Sequence, residues 1–121
     1  RELKISHGGM LCVGGRLYGA SSKGERKGWV SLLAETGELT AAAPDEGLPE
    51  GSAIYADGRF YVLGARGVMT LQEAVEGVFR EAGSFAWLDA KVQDAWAHPV
   101  LCDGRLYLRY HDTLYCYDVR R

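Results

Sequence analysis

The stretch CDGRLYLRYHDTLYCYD, Cys102 to Asp118, decides how this chain is read. It alternates short apolar and aromatic runs with two pairs of turn residues, Asp103-Gly104 and His111-Asp112. Asp-Gly is a strong hairpin signal, because both central positions of the tight turn need positive φ. With Pro99–Cys102 ahead of it, the stretch predicts strand, turn, strand, turn, strand. The sequence given stops three residues later, and the last strand has no following partner.

The same pattern occurs twice upstream. GGRLYGAS begins at Gly14, DGRFYVLG at Asp57 and DGRLYLRY at Asp103. The shared string Gly-Arg-Leu/Phe-Tyr recurs at offsets of 43 and 46 residues. A period in the forties suits a four-stranded blade of a β-propeller and is too long for leucine-rich or ankyrin units. A short apolar strand precedes each copy and a third strand follows it: WVSLLAE, VMTLQEA and TLYCYDV. The first two copies turn again, into ELTAAA and VFREAGSFA. The helix-forming residues of TLQEAVEGVFREAG are read as a strand hairpin because of their place in the repeat.

The third copy lacks a fourth strand. ELKIS, residues 2–6, alternates polar residues with Leu3 and Ile5 as a half-buried outer strand does. The expectation is an all-β chain of three blade equivalents and twelve strands. Residues 1–6 form a closing strand, 7–43 and 44–86 two blades, and 87–121 a blade short of its last strand.

Composition agrees with many turns. Gly makes up 16 of 121 residues, nearly twice the usual share of about 7%. The 14 basic and 16 acidic residues are well mixed. No basic stripe exists to neutralise a phosphate backbone, which argues against nucleic acid as a partner. The apolar runs are far shorter than a membrane span. Cys12, Cys102 and Cys116 are an odd set with wide spacing, so they are not a disulfide framework. Each lies in an apolar strand pattern and is expected to be a small buried hydrophobe.

The repeats resemble the pyrroloquinoline-quinone-like (PQQ-like) β-propeller family. Three segments carry the resemblance: SLLAETGEL at Ser31–Leu39, Glu50–Phe85, and Ala95–Val119. The first is similar to the family's tryptophan-docking repeat. Thr36 and Gly37 match it, whereas Ser31, Leu33 and Ala41 depart from its Ala, Asp and Trp. The resemblance implies a periplasmic or secreted protein and the C-terminal three blades of a larger ring. It carries over no quinone-gripping, metal-binding or catalytic residue, so no cofactor is expected. The alternative is a C-terminal piece of a quinone-dependent oxidoreductase whose cofactor residues lie in other blades.

Few residues suggest chemistry. His98 and His111–Asp112 are expected at opposite ends of one blade, too far apart to share a metal. Trp29, Trp87 and Trp96 are expected to pack between blades, since buried aromatics dominate core energetics. Arg16, Arg59 and Arg105 recur beside hairpins as stems covering apolar surface. The polar loop from Ser21 to Gly28 is where recognition would sit. The reading is therefore a non-catalytic scaffold that assembles with itself or with other propeller blades.

Three blades do not close a ring, because propellers have about four to eight. Two copies, head to tail, give six. The expected closure pairs Leu3 and Ile5 of one copy with the strand carrying Leu114, Tyr115, Cys116 and Tyr117 of the other.

Overall fold

The computed structural model describes residues 3–23, 26–43, 48–89 and 94–120. Those residues form eleven strands and no helix. β1 (Ile5–Val13), β2 (Arg16–Ser21), β3 (Gly28–Leu33) and β4 (Leu39–Ala41) make the first sheet. β5 (Gly51–Ala56), β6 (Arg59–Gly64), β7 (Val68–Val75) and β8 (Val78–Ala86) make the second. β9 (Val100–Cys102), β10 (Arg105–Tyr110) and β11 (Thr113–Asp118) make the third. Every sheet is an antiparallel meander of sequence neighbours. The ambiguous stretch around Gly77 is the β7–β8 hairpin.

The turns follow from local chemistry. Gly14-Gly15, Asp57-Gly58 and Asp103-Gly104 have positive φ at both positions, from 48° to 77°. This is the turn whose twist matches the strands it joins. Glu76-Gly77 closes β7–β8 in the same way.

Alternation sends each sheet's residues to two sides. The Tyr of the repeated string faces the following sheet, and the Leu or Phe before it faces the preceding one. Between the first and second sheets lie Tyr18, Ala20 and Trp29 from one side and Ala53, Phe60, Val62 and Phe79 from the other. Between the second and third lie Leu63 and Met69 against Leu106 and Leu108, flanked by Tyr61, Leu101, Tyr115 and Tyr117. The first strands approach one another, β1 beside β5 and β5 beside β9. Gly8 permits the approach of β1 to β5, since a Cβ there would run into the Gly51 carbonyl.

One strand assignment changes. Residues 3–6 do not form a strand separate from the first repeat. Ile5 is the first residue of β1 and pairs with Ser21. The Lys4 carbonyl accepts from the Ser22 N–H at 2.9 Å. A register break between Ile5 and Met10 absorbs the extra residues at His7–Gly9. The physical reason is that β2 runs on to Ser21 and offers an edge at once, without a second chain. Glu2 lies outside the described residues.

Candidate interaction surfaces

β11 is the edge of the third sheet and pairs only with β10. The two-residue turn at His111-Asp112 makes Tyr110 and Thr113 its closing pair. In an antiparallel ladder the hydrogen-bonding direction alternates along the strand. The backbone groups of Leu114, Cys116 and Asp118 therefore face the open edge. Asp118 takes hydrogen bonds from the Arg120 N–H and guanidinium, which hold its carboxyl below the usual carboxylate range.

The side chains of β11, the strand expected to receive the closing strand, divide between two faces. Tyr115 and Tyr117 pack inward, beside the second sheet. The Tyr115 ring meets Trp87 edge-on at 5.0 Å, and Tyr117 meets Phe85 at 5.0 Å. Burial, with Tyr115 nearby, pushes the Tyr117 hydroxyl above its usual range. Leu114 and Cys116 point away, into a face that no sheet covers among the described residues.

That outer face repeats an interface already used twice. Register places Leu114 opposite Arg109, as Met69 stands opposite Leu63 and Trp29 opposite Ala20. Trp29 is 4% exposed and Met69 2%, whereas Leu114 is 65% exposed. Val100, opposite Tyr107, is 55% exposed in the same face. Tyr107 itself, the counterpart of Tyr18 and Tyr61, stands between Val100 and Cys116.

The opposite end of the stack shows the complementary face. Leu17 of the first sheet is the counterpart of Phe60 and Leu106, each 1% exposed. It shares its face with Met10, Cys12 and Leu32. The Ile5 and Met10 side chains lie over Gly19 there, so the N-terminal segment caps part of this face. Leu3 is half-buried.

The cysteines are exposed, contrary to the burial expected of them. They sit in apolar strand patterns, yet alternation puts Cys12 on one outer face and Cys102 and Cys116 on the other. Those two faces lack a neighbouring sheet. Trp29 and Trp87 are buried between sheets, as expected. Trp96 is exposed and stacks on His7, rings 4.0 Å apart.

His98 hydrogen-bonds the His7 carbonyl through Nε2 at 3.1 Å, while His111 sits in the β10–β11 turn. The His7 contacts span some ninety residues, and no local pattern in the sequence signals them. Arg59 pairs with Glu73 at 2.9 Å, and Arg16 reaches Gly77. Among the described residues no three His, Cys, Asp or Glu side chains gather as a metal site, and no helix is long and apolar enough to cross a membrane. No protein-family model and no curated protein matches the chain.

Proposed function

We propose that the chain is a three-blade segment of a PQQ-like β-propeller, a scaffold that associates head to tail with a second copy into a six-bladed ring. The observation that carries this reading is the exposure of Leu114 at 65%, where its counterparts Met69 and Trp29 are at 2% and 4%. The first and third sheets each leave uncovered one half of the interface that the second sheet completes on both sides. A heterologous contact of this kind closes only if the rotation per sheet returns to the start. Two copies give six blades, within the range of about four to eight that closes.

Closure in this reading runs through sheet faces. Residues 4–6 stay on β2, where Ile5 and Lys4 already have partners. Exchanging them onto the partner's β11 would break those bonds first.

Light scattering on the purified chain tests the reading. A mass of two chains is expected, falling to one in Leu114→Asp with circular dichroism unchanged. A stable wild-type monomer would falsify self-assembly.

A further inference from the structure

The second sheet departs from the repeat at two positions of β7. Thr70 stands opposite Val62 and Gln72 opposite Phe60, on the face turned to the first sheet. The matching positions hold Val30 and Leu32 in the first sheet and Tyr115 and Tyr117 in the third. Positions that are apolar or aromatic in two sheets are therefore a hydroxyl and an amide in the middle one. Thr70 is 6% exposed and Gln72 4%. The buried Thr70 hydroxyl has no hydrogen-bond partner. Burying an unpaired hydroxyl is unfavourable, and the valine of the first sheet would avoid it.

Both residues line a cleft of about 600 Å³, a volume in the usual range of small-molecule sites, about 300–1,000 Å³. It opens where the first sheet ends. β4 has three residues, against eight in β7 and nine in β8, so the second sheet extends past its neighbour. Leu48 and Phe79 supply an apolar wall, and Arg66 stands at the rim, while Arg80, opposite Glu73, projects from the other face of the sheet. Among the described residues neither arginine has an ion-pair partner. Glu81, the acid of the lining, is hydrogen-bonded by Ser84 at 2.9 Å.

We propose that this cleft binds a small organic anion. Its carboxylate meets Arg66, a polar group meets Gln72 over Thr70, and its apolar body rests on Phe79 and Leu48. Planar guanidinium donors suit a carboxylate geometrically. The cleft is lined by the second sheet and by Ala43, Leu48 and Pro49 ahead of it in the same chain, so it does not depend on association between copies.

Nuclear magnetic resonance titration tests this, with benzoate as probe and inorganic phosphate as the comparison. Benzoate is expected to shift the Gln72 side-chain amide and the Arg66 Nε–H saturably. Thr70→Val with Gln72→Leu installs the first sheet's residues. It is expected to weaken binding about tenfold or more, the equivalent of one lost hydrogen bond, and to raise the unfolding midpoint. Arg66→Gln, at an exposed position, is expected to weaken benzoate in a fully folded protein. The proposal fails if benzoate gives no saturable shift at Gln72, or if neither variant weakens it. It also fails if the double variant is less stable than the parent, or if phosphate binds as tightly as benzoate, which would indicate a bare cation patch.

Discussion

The backbone N–H of Phe79 donates to the carbonyl of Ala42 across 2.5 Å, joining the outer strand of the second sheet to the end of the first. The Phe79 ring lies in the same junction, 5.1 Å from Phe60 and stacked 5.6 Å from Tyr18. One residue thus ties two sheets by backbone and by side chain. Phe79→Ala keeps the backbone bond and removes the ring. It should cost about 3–5 kcal/mol in urea unfolding, the range for a buried phenylalanine. Phe85→Ala, at an exposed site on the same strand, should cost clearly less. Equal losses would mean that the first two sheets do not pack as described.

Thiol accessibility reports on the outer faces. Cys12, Cys102 and Cys116 are all exposed in the single chain. If copies associate through those faces, labelling by a thiol reagent should slow as protein concentration rises. In Leu114→Asp all three should react quickly at every concentration. Concentration-independent labelling of the wild type would argue against these faces as the contact.

The tight turns make a local prediction. Gly58 has φ of 77°, and a Cβ there would meet no atom within 4 Å. Any cost of Gly58→Val is therefore conformational, with no clash to add. A loss of about 1–2 kcal/mol is expected, the usual cost of a left-handed backbone with a side chain. Chemical denaturation measures it, and a neutral result would remove the tight turn from the description.

Tyr18 gives the pH dependence. Burial raises its hydroxyl above the usual tyrosine value, against the pull of Arg16, with Tyr55 adding to the rise. The neutral form is thus favoured in the folded state. Its contribution to stability is fully present below about pH 10, the unfolded value, and is lost as pH rises through the folded value. Tyr18→Phe cannot ionise, so its stability should fall less between pH 9 and 11, to be read from urea midpoints. Parallel curves for parent and variant would show that Tyr18 does not titrate with unfolding.

The sequence by itself determined the strands and their turns. Gly-Gly and Asp-Gly impose positive φ whatever surrounds them, and the alternation beside them assigns each residue to a side. That is why TLQEAVEGVFREAG was legible as a hairpin despite its helix-forming residues. Tertiary structure alone decided which sides have a neighbour. Cys12, Cys102 and Cys116 look like core residues in the strand pattern and are exposed because, among the described residues, no sheet reaches them. ELKIS, residues 2–6, read as a strand that closes another copy's last blade, whereas Lys4 and Ile5 meet Ser22 and Ser21 across the first sheet. Thr70 and Gln72 are polar residues that packing buried. Turn geometry is set by a residue and its immediate neighbours, whereas burial is set by whichever distant segment arrives against it.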